Sequence, residues 1–387
     1  MESRCRFAFL CSIIPFILTG CWDEVEIDKQ VFIAAVAIDL AEDSDEEALV
    51  EVTEHLIVPS ALGSVTNPRP GKAYHNLSST GKTIYETAKA ISRQESRKAN
   101  VEHLGLVLIS REFAETEGML KNIFDVFIRE QYMRRGILVV ITEGKAKEVL
   151  HIDAEHVSLP SVYIVDMLEN DQTTMTKDPV KLGDIHEKLL TNRSYSLPYL
   201  SVVTEKILKY DGVAVIAEKP SRMVGALTGD ISEDRHFISG KARQSVVTIQ
   251  VEGNPATLEI NELRSRYVLL NDNPEALHFR VDIELDALIK EYVGQLDLYD
   301  EENMKIFTEA LENEVHKRAV RVLEEVKDGM QVDILKFDDF LRIHHNELWE
   351  EIKNDWDYGE NYFADSDITI VVEANIESPG TSLKGNQ

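Results

Sequence analysis

The residue whose type and setting most clearly suggest chemistry is Cys21, at the end of the segment Leu18-Thr19-Gly20-Cys21. A cysteine thiolate is the best side-chain nucleophile near neutral pH. Two arginines, Arg4 and Arg6, and an uncharged run over residues 7–20 precede it. A basic start, an apolar core too short to span a bilayer comfortably and small residues before the break are typical of a signal peptide rather than of a transmembrane helix. We therefore expect residues 1–20 to be an export signal.

The pattern of a leucine, two small residues and a cysteine resembles the bacterial lipobox. This resemblance implies that the Cys21 thiol receives a diacylglyceryl group, joined by an N-linked acyl chain such as palmitate, and that Cys21 becomes the first residue of the mature chain. Two long acyl chains hold a protein on a membrane durably, whereas one does not. The alternative is a cytosolic protein whose amphipathic start packs into its core. The abruptly acidic segment 22–26 argues against that alternative.

Size and charge restrict the possible partners. The chain has 387 residues, 43% of them hydrophobic, which predicts two or three domains rather than one. Loss of residues 1–20 removes two arginines and one glutamate from 41 basic and 69 acidic residues, which leaves 39 and 68 and a net charge of −29. Nucleic-acid phosphates and anionic lipid headgroups repel such a body. We therefore expect no nucleic-acid partner and a body that stands off the membrane to which Cys21 tethers it.

Two short motifs imitate catalytic signatures. Gly81-Lys82-Thr83 resembles the end of a phosphate-binding P-loop, but that motif requires a glycine where this chain has Asn76. Ser79-Thr80-Gly81-Lys82 fits the Ser-x-x-Lys pattern of some acyl-serine enzymes, whose supporting motifs, such as Lys-Thr-Gly, are absent from the sequence. A helix cap explains both motifs better.

The sequence offers no convincing metal site or catalytic constellation. His344, His345 and Glu347 suggest metal ligands, but adjacent histidines of a helix point in different directions, so surface histidines are the simpler explanation. Cys5 and Cys11 leave with the signal peptide, which excludes disulfides and cysteine nucleophiles from the mature chain. Abundant carboxylates do not by themselves nominate a general acid or base. We expect no enzyme, no metal and no cofactor except the lipid on Cys21.

The N-terminal part, residues 21–197, is expected to form an α/β domain. Residues 31–40 are an almost continuous apolar run of strand length, and 48–58 follow with mixed alternation after an acidic turn at 42–47, which predicts an antiparallel hairpin. A loop is expected at 59–72. Helix and strand patterns then alternate, which predicts a sheet covered by helices. The predicted helices start near 78 and 110 and cover 161–170 and 180–190, and the strands cover 104–109 and 136–142.

Two further domains are expected, a β-rich one over 198–275 and an α/β one over 276–378. The middle part shows strands at 200–208, 212–218, 223–227, 245–251 and 256–260, turns at 209–211 and 219–221, and a helix at 231–240. The last part shows a strand at 278–292, helices at 301–327, 332–344 and 349–355, a strand at 368–376 and a flexible tail at 379–387. The fold class is therefore predicted as multi-domain α+β.

The helix at 301–327 has the clearest pattern in the chain. Its apolar residues recur every three or four positions and make one continuous stripe: Met304, Phe307, Leu311, Val315, Ala319, Val322 and Val326. Packing of this stripe on a sheet is favoured over a coiled-coil partner surface.

Short segments in a fixed order along nearly the whole chain point to one family. The most distinctive is Gly20-Cys21-Trp22-Asp23; the others are Glu26-Ile27, Ala37-Ile38-Asp39, Gly81-Lys82-Thr83-Ile84, 103–109, Met133-Arg134-Arg135, 211–215, 224–227, Asp333-Ile334-Leu335 and 349–356. With these segments the chain resembles the Ger(x)C family of spore germination lipoproteins, the C-type subunits of nutrient germinant receptors. The family often has a glycine after the Asp333 segment, where this chain has Lys336-Phe337-Asp338.

The resemblance implies a three-domain α/β scaffold, anchored through Cys21 on the outer face of the inner spore membrane. Its implied partners are two integral membrane subunits, of A type and B type, with which it forms the receptor that starts germination. Two rival classes are a lipid-anchored solute-binding protein, which usually has two similar doubly wound lobes, and an extracytoplasmic enzyme. The strand-rich middle part disfavours the first rival, and the lack of a catalytic constellation disfavours the second.

Overall fold

The computed structural model describes residues 29–41, 50–57, 73–130, 133–153, 157–170, 178–241 and 245–377. Within these residues thirteen strands form two sheets, and helices pack on both of them. The predicted signal peptide and Cys21, the turn at 42–47, the loop at 59–72 and the tail at 379–387 lie outside the described residues.

The first sheet contains nine of the described strands in the order β3-β2-β1-β5-β6-β7-β8-β9, with the short β4 beside β1. Strands β1 and β2 pair antiparallel, as the sequence predicts, whereas β1, β5, β6 and β7 run parallel. The strands are β1 (Gln30–Leu40), β2 (Val50–Ile57), β3 (Tyr74–Gly81), β4 (Lys98–Asn100), β5 (Leu106–Ser110), β6 (Leu138–Thr142), β7 (Tyr195–Thr204), β8 (Ile207–Ala217) and β9 (Arg222–Thr228).

The central strands of the first sheet are apolar throughout because both of their faces are buried. On β5, Val107 and Ile109 belong to one hydrophobic core, whereas Leu106 and Leu108 belong to another on the opposite face. Side chains alternate between the two faces of a strand, so a strand covered on both sides reads as a continuous hydrophobic run. The six helices of this part supply the covers: α1 (Ile84–Ser92), α2 (Arg111–Glu115), α3 (Met119–Arg129), α4 (Ala146–Val149), α5 (Pro160–Glu169) and α6 (Leu182–Leu190).

The Gly81-Lys82-Thr83 motif is the cap of α1, as the sequence analysis predicts. Gly81 ends β3, and the Thr83 hydroxyl accepts a hydrogen bond from the backbone N–H of Glu86 at 3.2 Å. A threonine at this position satisfies a backbone donor that the first helical turn leaves without a partner. The predicted helix start near 78 is wrong: residues 78–81 belong to β3, a polar edge strand without clear alternation, and α1 starts only at Ile84.

The second sheet has the order β10-β11-β12-β13. Its strands are β10 (Val246–Val251), β11 (Asn254–Asn271), β12 (His278–Tyr292) and β13 (Asp367–Glu377), and β12 and β13 pair parallel. The long helix α8 (Glu301–Leu323) lies between these two in the chain and contacts β13 and β10. The stripe prediction is confirmed: the residues from Phe307 to Val326 that it names are buried in the core of this sheet.

Shorter helices complete the second half. They are α7 (Asp230–Ser239), a 3-10 turn (Pro274–Ala276), a π-helical extension of α8 (Glu324–Met330), α9 (Phe337–His344), α10 (Asn346–Ile352) and α11 (Tyr362–Asp365). The predicted helix at 332–344 is wrong in its first five residues, because Lys336 has a φ of 74° and α9 starts only after it. The fold class is α+β and multi-domain, as predicted.

The strands of the predicted middle domain, 198–275, do not form a sheet of their own. Strands β7, β8 and β9 complete the first sheet, whereas β10 and β11 belong to the second. The turn predicted at 209–211 lies inside β8, where the pairing register with β7 shifts between Tyr199 and Leu200. Asp211 is the extra residue of this β-bulge and Gly212, with a φ of 145°, follows it. Polar residues around a glycine at a bulge give the same pattern as a turn.

None of the helices in the described part of the chain combines the length and the apolar character required to cross a bilayer.

Glu54 on β2 tests how fully water is excluded from the core of the first sheet that contains Val107 and Ile109. It shares a strand face with Val52 and Leu56, is 5% exposed and makes no hydrogen bond or ion pair with another described residue. Burial raises the pKa of its carboxyl group to about 7. A raised pKa in the folded state means that the free energy of unfolding falls as the pH rises through this value.

We therefore expect Glu54→Gln to increase the free energy of unfolding by about 2–3 kcal/mol at pH 8 and by less than about 1 kcal/mol at pH 5. Urea unfolding at both pH values measures the difference. Glu51→Gln on the same strand is the control, because the Glu51 carboxylate lies 3.0 Å from Lys147 Nζ and its loss yields no gain. A Glu54→Gln effect of equal size at both pH values would contradict the assignment.

Candidate functional site

A polar cleft of about 300 Å³ lies where the two halves of the chain meet. Helix α6 and the start of β7 form one wall, and the end of α7 and the loop 333–338 form the other. The first wall belongs to the N-terminal half, and the loop leads into α9 of the second half. Ligand sites commonly lie in such clefts between domains.

An ion-pair cluster around Arg193 joins α6 to α9 beside this cleft, and its members Glu187, Lys188 and Asp338 line the cleft. The Arg193 side chain is 3% exposed; its Nη1 lies 3.2 Å from Asp338 Oδ2, and its Nη2 donates to Glu187 Oε1 at 2.8 Å. Asp339 is a further partner of Nη1, and Lys188 Nζ lies 3.7 Å from Asp338. Two carboxylates on α9 are therefore neutralised by cations from the N-terminal half.

Asp333 holds the loop before α9 in place. Its carboxylate accepts hydrogen bonds from the backbone N–H of Leu335 at 2.9 Å and of Asp338 at 2.7 Å, and from Trp356 Nε1 at 3.0 Å. Burial, followed by the nearby Asp338 carboxylate, raises the pKa of Asp333 to about 7. Burial likewise raises the pKa of Asp357, which accepts from the Asp333 N–H, to about 6. The buried carboxyl groups of Asp333 and Asp357 therefore hold the loop through hydrogen bonds to its backbone.

Asp178 pairs with two cations at the opposite side of the cleft. Arg235 Nη2 lies 2.7 Å from Asp178 Oδ2, and Lys241 Nζ lies 2.9 Å from Oδ1. Burial alone would raise the pKa of Asp178, but the charges of Arg235, His236 and Lys241 prevail and lower it. This carboxylate is thus ionised and fully engaged.

Four polar groups that line the cleft remain without partners in the described part of the chain, and one of them is the buried hydroxyl of Tyr195. Arg235 is 5% exposed, yet its Nε makes no hydrogen bond, and neither does the buried hydroxyl of Ser239. The exposed Lys336 forms no ion pair with another described residue. Loss of water contact on the cleft side lowers its pKa, and the neighbouring ammonium group of Lys241 lowers it further.

The sequence analysis named only Cys21 as a site residue, and Cys21 lies outside the described residues. The cleft was missed because its members are far apart in the chain: Arg193 and Asp338 are separated by 145 positions. Partial signals were present, since Asp333 and Trp356, two of the residues that carry the family resemblance, are hydrogen-bonded to each other.

The alternative sites that the sequence suggested remain apart from this cleft. His344 is exposed and His345 partly exposed, and both rings pack near Phe340. In the part of the chain that the structure describes, no three histidine, cysteine or carboxylate side chains lie close enough together to hold a metal ion.

The fold and the cleft together define a class: a two-sheet α+β protein with a polar, charge-paired junction between its halves. Two family models match the chain in succession, a spore germination protein N-terminal domain over residues 23–202 and a spore germination B3/GerAC-like C-terminal domain over residues 211–380. The chain belongs to the Ger(x)C family of spore germination proteins, as the sequence resemblance indicated, and its role is in germination.

Similar proteins extend over almost the whole chain. Spore germination protein YndF of Bacillus subtilis (strain 168) is 26% identical over 391 residues, which cover 95% of each chain. Spore germination protein B3 of the same organism is 24% identical and covers 98% of this chain and 99% of its own. The crystal structure of the GerBC protein matches with a TM-score of 0.59 and 16% identity over 88% of this chain and 97% of the other, which supports the fold.

The two family segments are not separate sheets in this protein. The C-terminal match starts at residue 211, inside β8, so β9 and most of β8 come from the C-terminal segment but complete the first sheet. The N-terminal segment alone would therefore leave the edge of β7 unpaired.

Arg193→Ala tests the junction. We expect this substitution to lower the free energy of unfolding by about 3–5 kcal/mol, because it removes the closest cation from the buried Asp338 carboxylate and leaves it with Lys188, at 3.7 Å, and the Asp339 N–H. Arg264→Ala is the matched control: Arg264 pairs with Glu262 on the surface, and its loss costs less than about 1 kcal/mol. Urea unfolding of both variants measures the difference, and equal effects would show that the Arg193 pair is not a structural link.

Lys336→Gly tests the backbone before α9. Lys336 adopts the left-handed conformation that favours glycine, the residue that the family often has in this segment. We expect Lys336→Gly to raise the free energy of unfolding by about 1 kcal/mol, whereas Lys336→Ala, which keeps a Cβ atom, brings no gain. The midpoints of urea unfolding give the comparison, and a stabilising effect of alanine as large as that of glycine would refute the backbone explanation.

Proposed function

We propose that the protein is the lipid-anchored C-type subunit of a spore germinant receptor and is required for germination in response to nutrients. The observation that supports this best is the extent of the family match, which begins at residue 23, two positions after Cys21, and continues with a short gap to residue 380. A lipobox cysteine just before the matched segments is the arrangement expected of a lipoprotein subunit.

The proposed location is the outer face of the inner spore membrane, with the lipid on Cys21 as the anchor. From Cys21 to the first residue of β1, Gln30, the chain spans at most about 30 Å even when fully extended. The first sheet therefore stays near the bilayer, while a net charge of −28 over the whole sequence opposes close contact with anionic headgroups. Anchor and repulsion together favour a body held just above the surface.

The proposed role of the folded body is to contact the A-type and B-type membrane subunits of the receptor, rather than to catalyse a reaction. This role is supported by the segments that carry the family resemblance, because those placed in the structure have structural tasks. Thr83 caps a helix, and Asp333 and Trp356 hold the loop before α9. The rival solute-binding class usually has two similar doubly wound lobes, whereas the two sheets here differ in strand number and order.

Cys21→Ala tests the proposal in spores. We expect the variant protein to leave the membrane fraction and the spores to lose the response to one class of nutrient, because the body no longer remains beside its membrane partners. Dipicolinic acid release after challenge with a panel of amino acids and sugars measures the response, with a gene deletion alongside.

Cys11→Ala is the matched control, because Cys11 lies within the predicted signal peptide and is absent from the mature chain. Its spores should germinate like the wild type. Normal germination of Cys21→Ala spores, with the protein free of the membrane, would refute the anchored-subunit proposal.

A further inference from the structure

We propose that the cleft between α6 and α7 binds a small oxyanion, a carboxylate or a phosphate, through Arg235, Ser239 and Lys336. This inference concerns a ligand of the protein itself and does not depend on the receptor role. The cleft of about 300 Å³ has the size of a small-molecule site, at the lower end of the usual range.

The first step is that the carboxylates lining the cleft already have partners within the protein. Asp178 pairs with Arg235 and Lys241. Asp338 pairs with Arg193, and Asp333 accepts three N–H hydrogen bonds. The remaining two acidic residues are also engaged: Asp184 accepts the backbone N–H of Lys181 at 2.9 Å, and Glu187 pairs with Arg193. The acidic groups therefore leave little demand for a bound cation.

The second step is that the groups left over are donors. The Nε of Arg235 is buried and unpartnered among the described residues, as is the hydroxyl of Ser239. A buried donor without a partner costs about 1–3 kcal/mol, so native structures normally supply one. An oxyanion accepts from a guanidinium, a hydroxyl and an ammonium group simultaneously, and charge-assisted hydrogen bonds of this kind are the strong ones.

The third step is the local charge. Lys188, Lys241 and Lys336 all line the cleft, and the ammonium groups of the first two disfavour the charged form of Lys336. Four basic and five acidic side chains line the cleft, so its charge is much closer to balance than the net charge of −28 of the whole chain. A bound anion would relieve the repulsion between the lysines and strengthen its own binding in doing so.

The location gives the ligand a structural consequence. Arg235 and Ser239 lie on α7, whereas Lys336 lies on the loop that leads into α9. An anion held by all three would link α7 to that loop within one wall of the cleft. Binding should therefore stabilise the folded state, by an amount that grows as the logarithm of one plus the ratio of the free anion concentration to Kd.

The experiment uses the full-length lipidated protein, purified in a neutral detergent. Sodium succinate and sodium phosphate are titrated separately while calorimetry and thermal unfolding are recorded, with sodium chloride at matched ionic strength as the reference. We expect saturable heat and a rise in Tm with at least one of the two oxyanions beyond the effect of chloride. Succinate alone identifies a carboxylate site, phosphate alone identifies a phosphate site, and a response to both identifies a general oxyanion site.

Variants locate the site. Lys336→Gln and Lys336→Gly should each weaken binding about tenfold or more, which is the loss expected for one charge-assisted contact. Since Lys336→Gly is expected to stabilise the fold, its loss of affinity would not be a result of unfolding. Lys121→Gln, which removes an exposed lysine on α3, is the control and should bind like the wild type. Absence of saturable binding by both anions, or equal loss in Lys121→Gln, would overturn the proposal.

Discussion

Strand β8 is the element on which both halves of the molecule depend, because each of its faces is buried in a different core. Val213 and Val215 point into the core of the second sheet. Ala214 and Ile216 point into the core of the first sheet that contains Val107 and Ile109. The alternation of side chains along a strand makes this possible without any special residue. Neither core is complete without β8, so this strand is a wall that the two cores share.

The polar junction lies beside this shared wall and serves a different purpose. Buried ion pairs such as Arg193 with Asp338 often contribute little net stability compared with apolar packing, but they tolerate few alternative arrangements. They therefore fix how α9 sits against the N-terminal half. The hydroxyl of Tyr267 on β11, within hydrogen-bond distance of the carbonyl oxygens of Ile238 and Leu335, holds the end of α7 and the loop before α9 together. The cleft remains polar because the elements that meet there are helix ends and a loop.

The sequence was sufficient for elements with a strong local period and insufficient for features that depend on distant pairing. The apolar runs of β1, β5 and β6 and the stripe of α8 were predicted, because burial imposes those patterns locally. The sequence did not predict that β8 and β9 belong to the first sheet, because this depends on pairing between strands. In addition, the bulge at Gly212 has the sequence pattern of a turn. Of the residues that line the cleft, Asp333 and Ile334 stood in the family segments named from the sequence, and the contact of Asp333 with Trp356 became visible only in the fold. The start of α9 was missed because Lys336, whose backbone is in the left-handed conformation, occupies a position where a glycine would have indicated a helix boundary.

The central claim is that the two sheets form one cooperative unit through β8, and hydrogen exchange under increasing denaturant tests it most directly. Amides of β5 and β6 report on the first sheet, and those of β12 and β13 report on the second. The account predicts that the two groups open with the same free energy and the same dependence on denaturant. If one sheet exchanged fully while the other stayed protected, the shared-wall account would be wrong.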